Sequence, residues 1–134
     1  MPYPMMMRCA AALLMCLAPS LVFAQGLAFT QEQIDSGKAL YKETCQICHG
    51  SSLANGQFGT PLKGSFFQDK WKGKSLGELL TFVFEKMPPD KLMSLTPEEY
   101  TGAVAYILSR NDIAVSATAM STDKETLKSV MLPW

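Results

Sequence analysis

Cys45, Cys48 and the only histidine of the chain, His49, fall within five residues, Cys45-Gln46-Ile47-Cys48-His49, and Gly50 follows them. Two thiols three positions apart can each add across a vinyl group of one porphyrin, and an imidazole directly after the second can swing beneath the iron. One short segment then supplies three bonds to a single haem c, and whatever fold forms has to close around that flat group. Gly50 lets the backbone turn away without a side chain against the ring. Two other chemistries use paired cysteines. A structural zinc site takes four ligands, and with one histidine and one cysteine pair in the exported part, carboxylates would have to complete it. A thioredoxin-like pair follows a strand at the start of a helix, whereas this pair ends a helical pattern in a chain with no convincing strand.

The remaining cysteines, Cys9 and Cys16, lie in a segment with the marks of an export signal. Arg8 precedes the apolar run 10–18, Pro19 breaks it, and Val22-Phe23-Ala24 puts small residues at the positions a signal peptidase reads, so cleavage is expected after Ala24. A retained membrane anchor would need about 20 apolar residues in a row, and Pro19 and Ser20 interrupt them. A lipid anchor at Cys16 would want a small residue where Met15 stands. The expected division is therefore a signal peptide at 1–24 and one domain at 25–134, located in the periplasm. A domain of that size buries only roughly two-thirds of its unfolded surface, so a large rigid cofactor would add much of its core. Losing Arg8 from 12 basic side chains leaves 11 against 12 acidic ones. No global field points to nucleic acid or to an anionic membrane as partner.

Periodicity predicts an all-α domain. Thr30 and Gln33 have capping-box spacing, and Ile34, Gly37, Leu40, Tyr41 and Thr44 recur at helical intervals, predicting a helix over 31–45. Residues 49–64 are rich in glycine, serine and asparagine and read as a loop of the kind that wraps something. Ser75 can cap a helix with Leu76, Leu79, Leu80 and Val83 on one face, ended by Pro88-Pro89. Thr96-Pro97-Glu98-Glu99 opens a last helix with Tyr100, Ala103, Val104, Ile107 and Leu108 inward, closed by 109–112, where Arg110 is expected to cap its carbonyls. The tail 113–134 is irregular and expected to pack back through Leu127, Val130, Met131 and Trp134.

An iron held by His49 needs a sixth ligand or an open face. No second histidine exists, which leaves thioethers, and the methionines of the exported part are Met87, Met93, Met120 and Met131. Met87 is the expected ligand because the double proline after it would hold a side chain with three free torsions on a stiff extended segment. Met93, six residues on, is the alternative.

With these features in view, the chain resembles the class I cytochrome c family, and in particular small bacterial monohaem cytochromes and the haem domains associated with quinoprotein dehydrogenases. The likeness runs from the haem motif through Trp71-Lys72-Gly73-Lys74-Ser75-Leu76 and Met87-Pro88-Pro89 to Ser94-Leu95-Thr96-Pro97-Glu98-Glu99-Tyr100 and Ala103-Val104-Ala105-Tyr106-Ile107-Leu108. It implies the cytochrome c fold, three to five helices around one covalently bound haem, with Met87 as axial ligand. It also implies that Gly37 and Tyr41 meet Tyr106 where the first and last helices cross. Gly59-Thr60-Pro61-Leu62 resembles the family's loop of glycine, proline, any residue and leucine, whose proline carbonyl accepts from the histidine ring. Thr60 stands at that proline position, which puts the stiffness of the loop in doubt. Trp71 resembles the tryptophan that donates to a haem propionate, with a plain core or surface tryptophan as the alternative.

The function expected from these residues is one-electron transfer between a dehydrogenase and a terminal acceptor, an electron carrier and not an enzyme. The resemblance makes a quinoprotein dehydrogenase the possible donor and an oxidase the acceptor. A haem enzyme or ligand sensor with a displaceable methionine is the main alternative, though O–O chemistry would want an acid-base group such as a second histidine. A dedicated cytochrome subunit of a dehydrogenase complex is another, and an exposed Trp134 would suit such an interface. Lys63, Lys70, Lys72 and Lys74 form either a docking patch or a solvated turn.

Overall fold

A computed structural model describes residues 26–134; the expected signal peptide lies outside them. The first helical rod begins as α1 (Gln31–Leu40), widens into a π-helical turn at Tyr41–Cys45 and continues as α2 (Gln46–His49). The rod thus runs four residues past the predicted end, because the Gln46 amide reaches back five positions to the Tyr41 carbonyl and the widened turn carries the chain on. Gly50, at φ +80°, ends it. Its start is the predicted capping box, Thr30 Oγ1 accepting from the Gln33 amide and Gln33 accepting from the Thr30 amide.

After the loop come α3 (Ser65–Trp71), α4 (Leu76–Lys86) and α5 (Pro97–Ser109). Helix α3 has no counterpart in the periodic pattern of the sequence. It has only Gly64 at its N-cap and no side-chain cap, so the one available signal was the four-residue spacing of its two buried rings, Phe67 and Trp71. Helices α4 and α5 both open with capping boxes, Ser75 with Glu78 and Thr96 with Glu99. The predicted inward residues of α5 are all buried, and those of α4 are buried except Val83, which is half-buried. No strand is present among the described residues, only an isolated antiparallel bridge between Ser75 and Met131.

Helices α1 and α5 cross with their backbones in contact. A methyl group on Gly37 would run into the carbonyl of Gly102, and the rings of Tyr41 and Tyr106 meet just beyond, with centroids 5.4 Å apart. Two helices approach this closely only where neither has a side chain at the crossing. Gly37→Ala therefore forces backbone apart on both sides, and a loss of about 3 kcal/mol is expected. Chemical denaturation should show a lower midpoint for Gly37→Ala and none for Gly26→Ala, whose added methyl meets nothing.

The C-terminal segment is fastened to the body at two places. The Met120 amide donates to Gln33 Oε1 (2.8 Å) and the Gln33 amide group donates back to the Met120 carbonyl (3.0 Å), tying the segment to the start of α1. A 3₁₀ turn at Thr126–Ser129 then brings Leu127, Val130 and Leu132 into the core beside α4. The alternation of that extended stretch turns Met131 outward, 55 % exposed, so Leu132 takes the place expected of it. Trp134 is no exposed interface residue: it is partly buried, edge-on to Phe67 at 5.7 Å. Arg110 closes α5 through its backbone amide, and the side chain that caps there belongs to Asn111.

Candidate functional site

The end of α2, the loop after it, α3, α4 and the α4–α5 connection enclose a cavity of about 860 Å³. Its walls are mainly apolar, with Leu79, Phe82, Val83, Leu95, Ala103 and Ile107 among them. All seven residues singled out from the sequence line this one space: Cys45, Cys48, His49, Thr60, Leu62, Trp71 and Met87. Met93 does not, and stands 60 % exposed on the surface of the α4–α5 connection.

The two thiols arrive there because the widened turn ends at Cys45 and α2 carries Cys48 three residues later. Both are free. Burial, with Cys48 nearby adding to it, pushes the Cys45 thiol up to about 11, so it is held protonated. Among the described residues no group of three or more His, Cys, Asp or Glu is placed to hold a metal ion, which leaves the zinc alternative without a ligand set.

His49 is buried, and its Nδ1 lies 2.8 Å from the Thr60 carbonyl oxygen. A carbonyl can only accept, so the neutral ring carries its proton on Nδ1 and keeps the Nε2 lone pair for a metal. Gly59 presses against the ring, since a methyl there would come within 2.5 Å of Nδ1. The loop is held by the Gly59 amide donating to the Cys48 carbonyl (2.9 Å) and the Leu62 amide donating to the Leu53 carbonyl (2.7 Å). Tyr41 Oη donates to the Gly50 carbonyl at 2.7 Å, fixing the chain where it leaves α2, and burial pushes the Tyr41 phenol up.

Met87 is the last residue of the α4 region, in extended conformation as the following proline requires. Its amide donates to the Val83 carbonyl (2.9 Å) and its carbonyl accepts from Tyr100 Oη (3.1 Å), so the backbone of this cavity-lining residue is pinned on both sides. Tyr100 was legible only as a core residue; its hydroxyl contact depends on the fold of the connection. Trp71 is buried between Phe67 and Phe82. Of the lysines around it, Lys70 lies with Nζ 4.6 Å above the Phe82 ring, and Lys74 pairs with Glu78 at 3.8 Å.

A large apolar cavity, two thiols, an imidazole with a free Nε2 and a thioether fit haem c in donor type and in space. Residues 32–107, more than half the chain and reaching from α1 into α5, match the family model described as cytochrome C oxidase, cbb3-type, subunit III. No curated protein and no solved structure gives a significant match. With the helical fold, that match places the chain in this family of c-type cytochrome domains, and it is a haem-binding electron-transfer protein.

Proposed function

We propose that the chain is a periplasmic carrier of single electrons, with one haem c attached through Cys45 and Cys48 and its iron held between His49 Nε2 and the Met87 thioether. The observation that carries this reading is the pair of backbone anchors at the two ligands: the Thr60 carbonyl orients the His49 ring, and Tyr100 with Val83 fixes the backbone at Met87. When bound, the haem supplies a ferric–ferrous couple. The chain's own part is to hold two ligands rigidly, so that little has to move when charge changes, and to wall the metal off from water with Leu79, Phe82, Leu95 and Ile107. A thioether favours the ferrous state and raises the potential relative to two nitrogen ligands. Electrons would pass at the cavity rim, where Ile47 and Phe58 stand 80 % and 82 % exposed. Such a rim suits transient docking to a dehydrogenase as donor, a quinoprotein by resemblance, and to an oxidase as acceptor.

The purified protein should show the sharp α and β bands of a low-spin c haem on reduction, and titrate as a single one-electron couple. A high-spin ferrous spectrum that shifts on adding carbon monoxide would overturn six-coordinate ligation and favour a ligand-binding role. The family's description, a subunit of an oxidase, favours a second reading in which the chain stays bound in a respiratory complex. Co-purification with an oxidase or dehydrogenase at high salt would support that arrangement over a free shuttle. No described helix is long and apolar enough to cross a membrane.

A further inference from the structure

Asn111 lies one turn past the end of the buried face of α5 and is itself 3 % exposed. Its side chain makes three hydrogen bonds, two of them to the loop. Nδ2 donates to the Leu62 carbonyl and to the Ile107 carbonyl, both at 2.9 Å, and Oδ1 accepts from the Gly64 amide at 3.0 Å. Leu62 and Gly64 are the far anchor of the loop whose Thr60 carbonyl accepts from His49. The near anchor is the Gly59 amide on the Cys48 carbonyl. Thr60 thus sits between the Gly59 contact with the haem-motif helix and a far side held by Asn111 at the end of α5 together with the Leu62 amide on the Leu53 carbonyl.

We propose that Asn111 is the positioning residue for the proximal histidine: by fixing Leu62 and Gly64 it holds the Thr60 carbonyl on His49 Nδ1, and so supplies the stiffness that threonine at position 60 does not. This rests on His49 being the iron ligand. A firm Nδ1–H···O bond makes the imidazole a stronger donor, which stabilises the ferric state. Loosening the loop weakens that bond, so the potential moves upward. The sequence carries no motif for this residue, because its three partners lie 4, 47 and 49 positions away.

The test uses the haem-loaded full-length protein. Asn111→Ala is expected to raise the reduction potential and to speed exchange of the His49 Nδ1 proton, followed by paramagnetic NMR, by about tenfold, as loss of an ordinary hydrogen bond would. Adding Thr60→Pro should return both readouts toward wild type, because the ring stiffens the loop and the Thr60 amide donates no hydrogen bond that proline would remove. Thermal stability lost with the Asn111 bonds should not return fully. If Asn111→Ala does not fold, Asn111→Ser is read in the same way. A variant that melts earlier yet keeps wild-type potential and Nδ1 exchange overturns the proposal and leaves Asn111 a helix cap only. Wild-type spectra without hyperfine-shifted His49 ring resonances would instead remove the ligation on which the proposal rests, and the proposal with it.

Discussion

Replacing Cys45 and Cys48 together by alanine is expected to leave haem that acidic organic solvent extracts in full, where the wild type retains it. The two are the only cysteines of the described chain, and both line the cavity. Attachment by such thiols is an addition: the sulfur and its hydrogen go to the two carbons of a vinyl double bond, no electrons leave the pair, and a carbon–sulfur bond remains that solvent cannot break. Burial keeps the Cys45 thiol in the protonated form that has this hydrogen to give. Single alanine variants should each keep one thioether and shift the reduced α band to longer wavelength, as one vinyl group stays conjugated with the ring. Pyridine haemochrome spectra separate the three species. Covalent haem surviving in the double variant would sink the assignment of the cysteines.

Met87→Ala is expected to abolish the weak near-infrared band that arises from sulfur bound to ferric iron, and to lower the reduction potential substantially, because water or a nitrogen base would replace a soft ligand that favours the ferrous state. Met93→Ala should change neither, since that side chain is 60 % exposed and outside the cavity lining. Met120 and Met131 are unsuited for different reasons, the first buried where the tail packs against the start of α1 and the second turned to solvent. Near-infrared spectroscopy with potentiometry on the two variants decides the matter. A band that survives Met87→Ala and vanishes with Met93→Ala would require the α4–α5 connection to refold around the iron.

What could be read in the sequence were features set by nearby residues. The capping boxes at Thr30, Ser75 and Thr96 involve partners three positions apart, and each opens a helix where expected. The haem motif and the Met87-Pro88 segment are equally local, and their residues come to one cavity. Features that depend on distant partners were not legible. Helix α3 has no cap and gains its place by setting Phe67 against Trp134, 67 residues later in the chain. Asn111 reads from sequence as part of a helix end and becomes a clamp only once the loop 59–64 lies beside it. The tail shows no period because it follows two surfaces in turn, first α1 at Gln33 and then α4 at Leu76, where the amide donates to the Val130 carbonyl at 2.7 Å.

The π-helical turn at Tyr41–Cys45 alters the angular phase of the first rod. One extra residue in a helix displaces all that follows by about 100° relative to what came before. Up to the first residue of the turn, Gly37 and Tyr41 are counted to meet α5. From its last residue on, Cys45, Cys48 and His49 are counted to meet the cofactor cavity. The two stretches therefore obey separate registers on a single rod, like two gears keyed to one shaft at different angles. Changes along the crossing with α5 need not rotate the thiols, and a scan that assumes one fixed helical period across 31–49 would see two misaligned stripes where the molecule has two working faces.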